Sequence, residues 1–300
     1  MDATRKKTKR RAQFKKGLEV MFFIGPHFLF FCIFVVYPFF FGIGASFTKW
    51  DMMSPPQFVG FENYASIFSP GSVYNREFLS GLGHTILFTI VMVPLLIAVP
   101  LLFAVILFNI RNTTIRSIFQ AILYASSILS VATVVLIWRW LLDRENGAIN
   151  NIFGIEINWA GSQPFAWISI FLLTLWSGVG GNMIIYLSAL NSIPKSLYES
   201  CELETSSPIK KFFYITLPSL RFPLLFTIVS GTIAGFNVFG QPFMFGGPSE
   251  STTVLMQTIY YYAFGTSTPM AGMASAMSVL LGLVILVFSI IQFRVLKEDK

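Results

Sequence analysis

The stretch Pro194–Pro218, PKSLYESCELETSSPIKKFFYITLP, is the one long polar interruption between two very apolar blocks. It reads as two short helices with a bend between them. Pro194 suits the first position of a helix, where its missing N–H is not needed. Ser207 followed by Pro208 is a cap-then-first-residue signal for the second helix. Pro218 is expected to end that helix and to push Leu217 away from helical geometry. The first helix is acidic at Glu199, Glu202 and Glu204. The second is basic and aromatic at Lys210, Lys211, Phe212, Phe213 and Tyr214.

The blocks on either side decide the class. Of 300 residues, 54% are hydrophobic, only 12% are charged and 33 are phenylalanine, a balance no soluble domain needs. Apolar runs longer than about 18 residues recur, the signature of membrane-spanning helices. Six are expected, at 20–47, 83–109, 117–142, 165–191, 220–244 and 273–293. Pro26 and Pro38 would kink the first; Pro94 and Pro100 would bend the second. Trp138, Arg139 and Trp140 form an aromatic belt at the end of the third. Gly272, Ala274, Ser275 and Ala276 open the sixth with side chains small enough for close helix approach. Few segments alternate like strands, so the expected fold is an all-α integral membrane protein rather than a barrel. Residues 1–19 form a separate basic segment, and 20–300 the six-helix domain.

The positive charges set the orientation. Seventeen of the 21 lysines and arginines fall on the side of the N-terminus: those of residues 1–19, then Arg111, Arg116, Lys195, Lys210, Lys211, Arg221, Arg294, Lys297 and Lys300. Only Lys49, Arg76, Arg139 and Arg144 fall opposite. The asymmetry puts both termini and the 194–218 loop in the cytoplasm. The basic segment is followed at once by an apolar run, so its partner is anionic lipid and not nucleic acid.

No phosphate-cradling glycine-rich loop occurs, and no Gly-Lys pair exists anywhere, so ATP hydrolysis is not expected of this chain. Every acidic residue falls in a loop or at the end of a span. Ion-coupled carriers place ionisable groups mid-membrane, where their cost marks a function. The pattern therefore favours a transporter powered from outside over the two other readings. A secondary carrier driven by an ion gradient lacks its intramembrane charges. A membrane-embedded enzyme needs clustered Asp, His or Glu at the membrane face, and only Glu199, Glu202 and Glu204 cluster. Cys32 and Cys201 fall at different depths, too far apart for a disulfide, and no metal or other cofactor is expected. His27 and His84 sit in or beside apolar segments, where packing is the expected role.

Glu199-Ser200-Cys201, then Thr205-Ser206, Phe212 and Ile215-Thr216-Leu217-Pro218, resemble the "EAA" cytoplasmic loop of permease subunits of bacterial ABC importers. Ser200 and Cys201 replace two alanines, and Thr205 replaces a glycine. A β-branched residue resists positive φ, so Thr205 is expected at negative φ. Three further pieces resemble the carbohydrate-type members of that family, such as the maltose-transporter membrane subunits. These are Phe58-Val59-Gly60-Phe61-Glu62-Asn63-Tyr64, expected to be a short helix on the outer membrane face, then Asn146-Gly147-Ala148-Ile149-Asn150, and GGPSESTTVLMQTIYYYAF at 246–264.

The resemblance implies a type I ABC importer permease fold in a bacterial inner membrane, with 194–218 as the coupling helix. It implies as partners a second permease subunit, an ABC ATPase dimer, an extracytoplasmic solute-binding protein and membrane lipid, with a sugar or oligosaccharide as cargo. Glu199 would then face a basic residue of the ATPase, an ion pair that orients more than it adds affinity. Sugars are held by aromatic faces and by amide and hydroxyl groups. The residues of that kind in the fourth and fifth spans are Thr174, Trp176, Ser177, Asn182, Phe236, Asn237 and Gln241, set against the ordinary use of such groups to bond a neighbouring helix.

Overall fold

A computed structural model describes residues 21–204, 207–265 and 268–297; the side chains of 203, 204, 296 and 297 are left aside. The basic segment 1–19 and the pair Thr205–Ser206 lie outside the described residues. The backbone angle expected at Thr205 falls outside them too. Four helices are long and apolar enough to cross a membrane, and the number rises to six if each of two sharply bent pairs is one span. The chain divides into two compact units, residues 1–66 with 262–279, and residues 67–261 with 280–300.

In the first unit, α1 (Met21–Ala45) is the first expected span, with only 6% of its apolar window buried. Pro38 leaves it unbroken because a π-turn, Cys32–Val36, precedes the proline, and the Tyr37 N–H bonds back to Cys32 O. The wider turn takes up the register that a proline ring would otherwise disrupt. A short antiparallel ladder follows, β1 (Thr48–Lys49) with β2 (Gln57–Phe58), pairing Thr48 with Phe58 and Lys49 with Gln57. Between them Asp51 Oδ1 accepts from the N–H groups of Met53 and Ser54 at 3.0 and 2.8 Å and from Ser54 Oγ at 2.7 Å. Those donors, Ser54 foremost, lower the Asp51 carboxyl from 3.8 to about 2. Asn63 donates to the carbonyls of Ser46 and Thr48, both at 2.9 Å, and the Tyr64 and Ser46 hydroxyls meet at 2.7 Å. Thus the Asn-Tyr of the 58–64 segment closes a hairpin, and the helix here, α2 (Glu62–Phe68), begins only at Glu62. Gly272 approaches the same hairpin so closely that a Cβ would lie 1.8 Å from Thr48 O.

The second unit is built on α3 (Val73–Asn109), a helix of 37 residues that starts ten residues before the expected span because Ser72 caps it, accepting from the Asn75 N–H at 3.0 Å. Parallel to it runs α7 (Phe165–Ser192), the fourth expected span. Two apolar cores lie at the two ends of this pair. One gathers Phe88, Met92, Trp167, Ile170 and Leu173; the other Leu101, Ala104, Leu107, Met183, Tyr186 and Leu190. Between them Asn182 Nδ2 donates to Leu96 O at 2.7 Å. That carbonyl lies four residues before Pro100, which has no N–H to give it. The amide of α7 thus replaces the bond that proline removed from α3.

Two expected spans are not continuous. The third is α4 (Thr113–Ala125) and α5 (Val131–Leu141), with the 3₁₀ turn Ser126–Ile128 between them and a bend of 102°. Leu129 is extended, and Ser130 Oγ caps α5 through the Thr133 N–H at 3.3 Å. Ser126 and Ser127 each donate a hydroxyl to α7, to Trp176 O at 2.8 Å and Ser177 O at 2.7 Å. The serine cluster is stabilised as a corner by bonds to another helix, which overrides its apolar flanks. Gly180 permits the approach, since a Cβ there would sit 2.6 Å from Tyr124 Cα. After α6 (Ala148–Phe153), the Asn150 side chain bonds Arg144 O, Ile157 O and the Trp159 indole, so the Asn146–Asn150 piece is a loop fastener.

The fifth expected span, 220–244, contains α10 (Arg221–Phe236), which stops at Asn237 (φ −95°, ψ 12°), and a short α11 (Gly240–Phe245). Asn237 Nδ2 donates to Ile233 O at 2.7 Å, spending its amide on the end of its own helix. α12 (Leu255–Tyr260) is fixed to α3: Thr85 Oγ1 accepts from the Leu255 N–H at 2.9 Å, and His84 Nδ1 donates to Thr253 O at 2.8 Å. His84 is thus a packed histidine, its ring tilted against that of Trp167. α13 (Ala271–Lys297) is the sixth expected span, extended at both ends. Cys32 and Cys201 are both free thiols.

Candidate functional site

The organising stretch forms two helices, α8 (Lys195–Glu204) and α9 (Pro208–Ser219), as its sequence indicated. Pro194 sits just outside α8, its carbonyl accepting the Leu197 N–H at 3.1 Å. Ser207 caps α9 with Pro208 at its first turn. Pro218 does not end α9, and Leu217 stays helical (φ −63°, ψ −45°). The π-turn Phe212–Thr216 precedes it, with the Leu217 N–H bonded to Phe212 O. As before Pro38, the extra residue per turn relieves the clash between the proline ring and the preceding turn. The chain breaks instead at Leu220, where α9 and α10 meet at 68°.

The two faces of α8 differ. Glu199 and Ser200 are exposed, and the Ser200 hydroxyl bonds back to Ser196 O at 2.8 Å. Tyr198 and Cys201, three apart, are half-buried and face inward. The Tyr198 hydroxyl meets that of Thr216 at 3.0 Å, and its ring lies 6.2 Å from that of Phe108, near the end of α3. Lys211 Nζ donates to Glu202 Oε1 at 2.7 Å. Phe212 and Leu217 pack on the core of Leu101, Met183 and Tyr186, while Ile215 is half-buried and Pro218 exposed. Sequence reading singled out neither Tyr198 nor Phe108, and it named Thr216 and Lys211 without their partners. The three-residue spacing of Tyr198 and Cys201 on α8 was the available signal for the first.

The amide, hydroxyl and aromatic residues named for a path are dispersed. Thr174 is buried, and its hydroxyl bonds Ile170 O on its own helix. Ser177 Oγ does the same with Thr174 O at 3.1 Å. Asn182 is committed to Leu96. Trp176 remains 40% exposed, edge-on to Trp138 of α5 with centroids 6.2 Å apart. α11 packs on α5 as well: a Cβ at Gly240 would lie 2.8 Å from Val131 Cγ1, and Arg139 Nη1 donates to Met244 O at 3.3 Å. Gln241, on α11, is half-buried. So α5 contacts both Trp176 of α7 and the 240–244 segment of α11.

Phe236 is 1% exposed and stands elsewhere, tilted against Phe288 of α13 at 5.0 Å. These two rings help line a mostly apolar cavity of about 280 Å³ with Thr89 and Pro94 of α3, Thr232 of α10 and Gln292 of α13. Gln292 Nε2 donates to Thr232 Oγ1 at 2.7 Å, and Gln292 Oε1 is buried without a partner among the described residues.

The family model described as "Binding-protein-dependent transport system inner membrane component" matches residues 63–297. The arabinooligosaccharides transport system permease protein AraP of Halalkalibacterium halodurans is 31% identical over 280 residues, 90% of this chain and 84% of that protein. The lactose transport system permease protein LacF of Rhizobium radiobacter is 27% identical over 306 residues, 98% of this chain and 99% of its own. Among solved structures, a bacterial ABC transporter involved in the import of the acidic polysaccharide alginate shares the fold, with a TM-score of 0.83 at 19% identity over 97% of this chain and 99% of that one. With its apolar helices, its helix-bend-helix arm and a match over nearly four-fifths of its length, the chain belongs to the family of inner membrane components of binding-protein-dependent transport systems and is an ABC importer permease.

Proposed function

We propose that this permease forms half of the translocation path for an oligosaccharide and receives the work of ATP hydrolysis from a separate ATPase dimer through α8 and α9. A second permease completes the path, and an extracytoplasmic solute-binding protein delivers the cargo. The observation that carries the coupling role is the exposed Glu199–Ser200 face of α8 on an arm rooted in the core beneath it. The positive-charge asymmetry supports a cytoplasmic position for that arm and for both termini. Closing of the ATPase pair would displace the arm and rock the helices about a central cavity, as rigid bodies do in alternating access.

The cargo class rests on the relatives, named for arabinooligosaccharides and lactose. The path we propose uses Trp176, Ser177, Asn237 and Gln241 near α5. Thr174 and Asn182 support its wall from α7, while Phe236 stands apart beside Phe288.

The test is purification of the tagged permease in mild detergent, with ATPase activity measured on what elutes and uptake measured after reconstitution with the binding protein. A second permease and an ATPase are expected to co-elute, and Glu199→Lys is expected to abolish cargo-stimulated ATP hydrolysis and uptake. A permease that elutes alone and drives uptake from an ion gradient would overturn the proposal.

A further inference from the structure

We infer that Tyr198 and Thr216, seconded by Glu202 and Lys211, form a brace that makes the coupling arm one rigid piece and joins it to α3, with Tyr198 as the positioning residue at its centre. The inference rests on the coupling role proposed for α8 and α9. An arm of two short helices joined at a bend transmits no displacement if the bend absorbs it. α8 has only ten residues, too few to be stable as a helix on its own. Something must hold it against α9, and two contacts do. The Tyr198–Thr216 hydroxyl bond ties the first half of α8 to the π-turn of α9, one turn from the core. The Lys211–Glu202 ion pair ties the second half of α8 to the start of α9, and it is the one ion pair among the described residues. The two ties lie four residues apart on α8, on one side of the helix, and leave the Glu199 face free.

The Tyr198 ring adds a third connection, against Phe108 near the end of α3. α3 is a rod of 37 residues, about 55 Å long at 1.5 Å per residue. Its residues His84 and Thr85, on the far side of the helix pair, hold the 253–255 backbone. A push on α8 therefore reaches α3 through an aromatic contact and α10 through α9, and both carry it toward the opposite end of the unit. The Thr216 hydroxyl has a second significance. It sits in a π-turn, where the wider backbone turns a side chain out of the ordinary helical register, and that register brings it to Tyr198.

The experiment measures cargo transported per ATP hydrolysed in the reconstituted full transporter, for Tyr198→Phe, Thr216→Val, their double variant, Glu202→Lys, Lys211→Glu, the double charge reversal, and Glu199→Lys. Removing either hydroxyl is expected to lower the ratio about three- to tenfold, the scale of one lost hydrogen bond. The Tyr198→Phe/Thr216→Val pair should be no worse than either single change. The exposed ion pair is worth less, about twofold, and the double reversal should restore it. General loosening of the fold would give neither the non-additivity nor the rescue. Thr216→Val keeps the shape of threonine, so it reports even if a change at Tyr198 impairs assembly. If Glu199→Lys abolishes transport while Tyr198→Phe and Thr216→Val keep the normal ratio, the arm is the coupling element and the brace is wrong. If Glu199→Lys also transports normally, the coupling role and the brace fall together.

Discussion

Asn182→Leu is the substitution with the most specific consequence. Leucine has the same four-heavy-atom branched shape as asparagine and is somewhat larger, so no gap opens between α7 and α3, but the donor to Leu96 O disappears. Pro100 cannot supply the missing N–H, and a carbonyl between two packed helices has no water to turn to. An orphaned buried acceptor costs about 1–3 kcal/mol in a soluble core, while interhelical bonds in membranes average about 0.6 and reach about 1.7 kcal/mol. A loss of about 1–1.5 kcal/mol is the working figure. Pro100→Ala should cancel it, because alanine restores an N–H four residues after Leu96. The assay is unfolding in mixed micelles of the single and double variants, followed by helix content. The double variant should be more stable than Asn182→Leu alone, and the reverse order, or no effect of Asn182→Leu, refutes the account of this bond. Uptake by the double variant adds a second answer: restored stability without restored uptake would give Asn182 a direct part in the path.

Two further outcomes follow from the same geometry. Gly180→Ala should be severe, about 2–3 kcal/mol or non-assembly, because its Cβ meets the backbone of Tyr124 at 2.6 Å, whereas Gly178→Ala meets only Leu96 Cδ2 and should cost less than about 1 kcal/mol; thermal inactivation in detergent would separate them. Asp51 titrates at about 2 instead of 3.8, so its contribution to the 51–54 turn is complete above pH 4 and is lost as pH falls toward 2; amide exchange at Ser54 should accelerate over that window, and in Asp51→Asn the acid dependence should vanish.

The arm shows how sequence can be right about elements and wrong about their ends. Ser207-Pro208 correctly marked the start of α9, because a cap acts within one turn. Pro218 was a misleading stop. Whether proline ends a helix depends on the carbonyls behind it, and the π-turn at Phe212–Thr216 had moved them. The polar residues of the fourth span posed a similar difficulty. Asn182 looks like a sugar ligand in one dimension, and its actual partner is a carbonyl released by a proline 82 positions earlier.

What the sequence by itself determined is the class of molecule, its apolar spans, its charge asymmetry and the arm at 194–218, since hydropathy, charge and capping are local properties that need no knowledge of neighbours. Only the tertiary structure decided that the third span bends by 102° and that the arm meets the fifth span at 68°. A corner in an apolar run is stable only where another helix receives the hydrogen bonds it gives up. Ser126 and Ser127 find such receivers in the α7 backbone, 50 residues away in the chain.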